Sequence, residues 1–171
     1  RNPSQRTIFL GAVEFADGVE FAFPDHVLNM LRSGESVVVV NNAAAFQARY
    51  GTGVVPAGEY DGKLKNEGER IAILDRFGDP IADFAYDDRG AWPGRADGKG
   101  ASLELIDPAA VPSIELLRTE YLQEGDHWRS SSESGGTPGS PGPGPIGDVF
   151  VNEVLSRSPP GAALDTIELY N

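Results

Sequence analysis

The chain contains no cysteine, which excludes disulfide staples, thiol nucleophiles and thiolate metal sites in one step. Histidine is nearly as scarce, with His26 and His127 alone, too few imidazoles for a zinc site without thiolates. Long apolar runs are missing as well: the β-branched stretch Val37 to Val40 is far too short to cross a bilayer, so membrane insertion is not expected. Positive charge is in deficit, with 14 Lys and Arg against 26 Asp and Glu and a net charge of −12. The basic residues form no stripe interleaved with aromatics, and the acidic balance would repel a phosphate backbone, so nucleic acid is not an expected partner. Such acidity suits solubility, cation binding or a basic partner, a solvated acidic surface being the plainest of these. The start shows no charged segment followed by an apolar core, so an export signal would lie upstream.

What is present is β-pattern. A length of 171 residues suffices for one domain with a proper core. Ile8, Leu10, Val13, Phe15, Val19, Phe21 and Phe23 mostly alternate on either side of Asp17-Gly18, which predicts a pair of strands over 7–23 ended by Pro24. Ser36 to Val40 reads as a buried strand. AAAFQARYG, after Asn41-Asn42, predicts one short helix near 43–50, with Phe46 and Tyr50 on one face and Gly51 as its C-cap. An edge strand is expected around Lys63-Leu64-Lys65. RIAILD and PIADFAYD predict a hairpin, and ASLELID a further strand. IELLRTEYLQEG reads as a turn of helix, with Leu116, Leu117 and Leu122 available for burial. Between them, Asp87 to Gly100 suits a long surface loop pinned by Trp92.

From Ser130 to Pro145 the composition turns to Ser, Gly and Pro, which predicts an extended, exposed linker. Beyond it, VFVNEVL and TIELYN alternate again. The organisation expected is a body over 1–139, a Pro/Gly linker over 140–148 and a strand pair over 149–171. That pair either completes the same sandwich or that of a neighbouring copy. Return to its own body is favoured because a tether holds the effective concentration in the mM range.

In order, FAFP (21–24), SGESVVVV (33–40), AAFQARYG (44–51), NEGERIAILD (66–75), ADFAYDD (82–88), AWPGRADGKGASLELIDP (91–108) and WRSSSESGGTPG (128–139) make a set of phrases. Together with VNEVLS (151–156) and IELYN (167–171), they resemble the lamin tail domain of bacterial surface and secreted proteins, with that family's first phrases displaced to the C-terminus. The resemblance covers nearly the whole chain. It departs at Ala12, where a Trp is commoner. It implies an all-β, immunoglobulin-like sandwich and a non-enzymatic interaction or spacer module in a larger bacterial protein. That protein would be extracellular, periplasmic or at the cell surface, and the module's partners would be proteins or adjacent domains of the same polypeptide.

The alternative is an accessory domain that brings an attached secreted hydrolase to surface glycans, with or without calcium. Trp92 and Trp128 are its candidate stacking residues, although an indole anchoring a loop is the commoner case. Asp87, Asp88 and Asp97 are its candidate calcium ligands, on a spacing that fits no EF-hand. No other cofactor is expected. A Ser–His–Asp set from Ser130 to Ser132, His127 and Asp126 lacks the nucleophile-elbow motif. Asn152, Glu153 and Glu168 are polar positions in the terminal strands, read either as edge or outer-face residues or as contacts at a strand junction.

Overall fold

In a computed structural model of the chain, residues 1–26, 29–144, 150–155 and 166–170 are described. The first alternating stretch does not make a single hairpin. It breaks at Gly11-Ala12, where Ala12 takes φ 57° and the Ala12 N–H donates to the Phe23 carbonyl at 3.1 Å. A side chain at positive φ is costly, so this turn is held by its surroundings. β1 (Ile8–Phe9) therefore turns away from β2 (Glu14–Asp17), which pairs antiparallel with β3 (Val19–Ala22) across Asp17-Gly18. The partner of β1 is β4 (Met30–Leu31).

Only the end of the β-branched run joins a ladder, as β5 (Val39–Val40). The helix α1 (Ala43–Tyr50) follows. The Asn42 side chain accepts the Ala45 N–H at 2.7 Å, and Gly51, at φ 76°, donates its N–H to the Gln47 carbonyl at 2.8 Å. These bonds satisfy backbone groups that a helix end otherwise strands. Phe46 and Tyr50, one helical turn apart, bring their rings to 4.8 Å. β6 (Gly58–Glu59) then runs parallel to β5. The edge strand falls earlier than the lysines: β7 (Asp61–Gly62) pairs with β3, and Lys63-Leu64-Lys65 stays outside the ladder.

β8 (Gly68–Leu74) and β9 (Pro80–Asp87) form the expected hairpin. Its turn is built by Asp75, whose Oδ1 accepts the N–H groups of Phe77 and Asp79 at 2.8 and 3.0 Å. β10 (Leu103–Leu105) pairs with β11 (Trp128–Ser130). Between them lies a second helix, α2 (Glu115–Gln123), where the sequence suggested one turn and a single helix for the whole chain. Of its three leucines only Leu122 is buried, while Leu116 and Leu117 face solvent. Arg118 ties the helix to β9, its guanidinium donating to the Ile81 carbonyl there and to the Pro112 and Ser113 carbonyls just before the helix.

The order β7-β3-β2-β8-β9 makes one five-stranded antiparallel sheet, and the other described strands form two-stranded ribbons. The fold is a small, mostly antiparallel all-β structure with, among the described residues, two short α-helices. Its buried apolar residues, among those described, include Val13, Phe23, Leu31, Ala72 and Phe84. They do not close the interior. An apolar groove of about 600 Å³ opens among Phe9, Val13, Leu31, Val39 and Ile73, with the exposed Phe77 on its wall.

The Ser/Gly/Pro segment begins inside the body rather than outside it. Ser131 is fully buried; its hydroxyl accepts the Ser102 N–H at 2.9 Å and donates to the Glu133 carbonyl at 2.7 Å. The Tyr50 hydroxyl donates to the Gly135 carbonyl at 2.8 Å, and Arg129 reaches the Gly142 carbonyl at 3.4 Å. Composition foretold an exposed strap from Ser130 onward; internal hydrogen bonds hold its first half down instead. Positions 145–148 of the expected linker, and 149, 156–165 and 171 of the tail, lie outside the described residues.

The tail gives β12 (Phe150–Leu155) and β13 (Thr166–Tyr170), which pair antiparallel with each other. Among the described residues this pair is a sheet of its own, exposed at every position of both strands.

Candidate functional site

Two regions bring together the residues singled out by the sequence. The first is a cleft of about 390 Å³ where β9 runs into the 88–100 loop, lined by Phe84, Tyr86, Asp87, Asp88, Asp97 and Trp128 among others. Trp128 lies 5.6 Å from Phe84 with the planes 24° apart, and 5.9 Å from Trp92 with the planes 30° apart. Its indole N–H donates to the Leu122 carbonyl at 2.9 Å. One aromatic stack thus ties β9, the loop and the end of α2 together, which is the anchoring role. Trp92 backs onto Trp128 rather than lining the cleft.

The three carboxylates share this cleft without converging. Asp87 Oδ1 accepts the N–H groups of Asp88 and Arg89 at 2.7 and 3.1 Å. Those backbone donors, that of Asp88 foremost, hold the carboxyl below its ordinary range. Asp88 Oδ1 is shut from solvent and meets Arg89 Nε at 3.4 Å, an ion pair without hydrogen-bond geometry. Asp97 is exposed. Among the described residues no three acidic or imidazole side chains are grouped to hold a metal ion, so the calcium set expected from Asp87, Asp88 and Asp97 does not assemble. The Asp87 carboxylate is turned to backbone donors of its own loop, and Asp88 Oδ1 to the charge of Arg89.

The Tyr86 hydroxyl lies 2.5 Å from the Lys65 carbonyl and 3.3 Å from Glu69 Oε1. Burial first, and the Glu69 charge second, push this phenol up to about 12. Phe84 and Tyr86 were not among the residues the sequence proposed. Their two-residue spacing on β9, which puts both on one face, was the available signal.

The imagined hydrolase set is occupied by structural contacts. The His127 ring lies 3.6 Å from that of Tyr121, at 6° between planes, and its Nδ1 donates to the Tyr121 carbonyl at 2.7 Å. Ser131 is the buried residue already described, with its hydroxyl engaged on both sides.

The second region is the strand pair. Phe150 faces Tyr170 and Val151 faces Leu169; after a register shift at Asn152, Glu153 faces Glu168 and Val154 faces Ile167. Val151 and Val154 are three apart and would fall on opposite faces of a regular strand. The extra residue restores them to one face. That face is wholly aliphatic, with Val151, Val154, Ile167 and Leu169 each 58–68% exposed. Asn152 Nδ2 donates to Glu168 Oε1 at 2.7 Å, so two of the three junction candidates bond to each other across the pair.

Comparison with protein-family models, with curated proteins and with solved structures finds no match to this chain.

Proposed function

We propose that the chain is a non-catalytic, immunoglobulin-like β-sandwich that serves as an interaction and spacer module of a larger bacterial exported or surface protein, linking successive domains or binding protein partners. The observation that carries this reading is the terminal strand pair. A two-stranded sheet is at best marginally stable alone, and one that turns four aliphatic side chains to water has not finished burying its surface. The lamin-tail phrases point the same way, and the five-stranded sheet and the β1–β4 ribbon, whose residues line one apolar groove, suit the two layers of a sandwich.

The test is a tandem of two copies joined in frame, compared with the single chain by urea denaturation at micromolar concentration. A linking module gives a higher midpoint in the tandem, because the pair of one copy meets its acceptor at high effective concentration. Equal midpoints and independent unfolding would sink the reading.

One observation favours a second reading, an accessory domain that binds a glycan: the cleft presents the Trp128 indole beside the polar edges of Tyr86, Asp87 and Asp97. Titration with soluble oligosaccharides should then change tryptophan emission saturably, and a flat response removes this reading.

A further inference from the structure

Past its buried root at Ser131, the Ser/Gly/Pro segment is seated on the body through its backbone and little else. From Ser132 to Gly144 no residue is buried. Four hydrogen bonds among the described residues reach the body. The Ser134 hydroxyl and the Gly135 N–H donate to the Gly100 carbonyl at 3.4 and 2.5 Å, the Tyr50 hydroxyl donates to the Gly135 carbonyl, and Arg129 donates to the Gly142 carbonyl. Within the segment, the Gly136 N–H donates to the Glu133 carbonyl at 3.1 Å and the Ser140 N–H to the Thr137 carbonyl at 3.0 Å, which folds the chain into turns. Resting on the reading of the chain as a spacer, we propose that residues 132–144 are a clasp. Closed, they fold the start of the connector onto the body; open, they release it as one unit while the five-stranded sheet stays folded.

Three observations carry this. First, the seat is specific. Gly136 and Gly139 stand at φ 80° and 82°, and a Cβ there would lie 2.5 Å from Ser102 Oγ and 3.1 Å from a Val54 methyl. Glycine alone fits both places without strain, a requirement that an unseated linker does not have.

Second, the seat is shallow. A hollow of about 430 Å³ is lined jointly by Leu105, Ile106 and Pro108 of the body and by Thr137, Pro138 and Gly142 of the segment. Apolar side chains that border open space gain no contacts there. Third, the root is separate. The Ser131 N–H donates to the Ser102 carbonyl at 2.8 Å and its hydroxyl accepts the Ser102 N–H at 2.9 Å, so opening can stop at a fully buried residue. Few buried contacts and exposed hydrogen bonds mark a unit that opens at less cost than the whole fold.

The test is native-state hydrogen exchange on the full chain at increasing low urea, with the Gly135 amide as reporter because its acceptor, Gly100, belongs to the body. In the wild type this amide should exchange more slowly than a free chain, through an opening almost independent of urea, since little surface is exposed. The amides of β8 and β9 should exchange through the strongly urea-dependent global opening instead. Gly136→Ala and Gly139→Ala should each speed Gly135 exchange about tenfold, because each sets a side chain at positive φ, and leave β8 and β9 unchanged. Tyr50→Phe, which deletes one hydroxyl bond to the clasp, should speed it about fivefold.

A glutamate-specific protease gives an independent reading. Glu133 is the one glutamate between 125 and 152, and cleavage after it follows the open population, so both alanine variants should be cut faster there. A Gly135 amide that exchanges at the free-chain rate overturns the proposal, as does one that opens only together with β8 and β9. Alanine variants that change nothing, or that speed β8 and β9 equally, overturn it too. All of these outcomes are read on the single chain, so the tandem comparison judges the linking role separately.

Discussion

The β8–β9 and β12–β13 hairpins are made to the same local recipe and meet opposite fates. Both alternate apolar and polar residues, both are antiparallel, and both carry one register shift. Yet β8–β9 lies inside a five-stranded sheet, with Ala72 2% exposed and Phe84 9% exposed, whereas no residue of β12 or β13 is buried. Alternation specifies which face wants cover; it does not supply the cover. β8 has β2 along its free edge, and Phe84 on β9 has Trp128 against its ring. The terminal pair has no such neighbour among the described residues of its own body.

The sharpest way to separate the two hairpins is to remove packing from the covered one. Phe84→Ala should cost about 3–5 kcal/mol, a cavity beneath Trp128 adding to the lost transfer energy, a large fraction of the ~5–15 kcal/mol that holds such a domain together. Urea denaturation at low protein concentration checks this. In the same assay Val154→Asp/Ile167→Asp should stay within about 0.5 kcal/mol of wild type, as expected for exposed positions. A comparable loss from both would abolish the contrast.

A smaller effect tests the turn that gives β8–β9 its register. Asp75→Ala removes the acceptor of two backbone N–H groups and should cost about 1 kcal/mol, measured in the same way.

Smallest is the charge bridge across the covered hairpin's outer face, where Arg70 contacts Asp17 at 2.9 Å and Asp83 at 2.7 Å. The hydrogen bond from Arg70 holds the Asp83 carboxyl below its ordinary value. A depressed carboxyl contributes stability that is fully present above its unfolded value, near about 4, and that is lost as pH falls through the folded value. Melting temperature followed from pH 7 downward should therefore show slightly less acid sensitivity in Asp83→Asn. With Arg70 54% and Asp83 34% exposed, the difference should be modest and should fade in about 1 M salt.

Much of this architecture is legible in the chain because its signals are local. Asn42 and Gly51 bracket α1, Asp17-Gly18 turns β2 into β3, and Arg76 to Asp79 separates β8 from β9. The break that sends β1 to β4 was not legible, because it rests on Ala12 at a positive φ, a conformation alanine rarely advertises. Ser131 was misread for the opposite reason. A serine among serines and glycines has the composition of a solvated strap, and only its bonds to Ser102 and Glu133 make it interior. At the cleft, Trp128 and the aspartates stood out by type. Their grouping with Phe84 and Tyr86 depends on β9 and β11 coming together over more than 40 positions of sequence, which no short pattern encodes.

The bonds that pin the Ser/Gly/Pro segment set the length of a leash. Were the chain free from Ser130 onward, Phe150 could swing out to about 70 Å; held at Gly142 by Arg129, it can extend at most about 29 Å. The covalent reach of the terminal strands is thus counted from Gly142 rather than from Ser130, and Arg129→Ala, which removes that contact, would lengthen it.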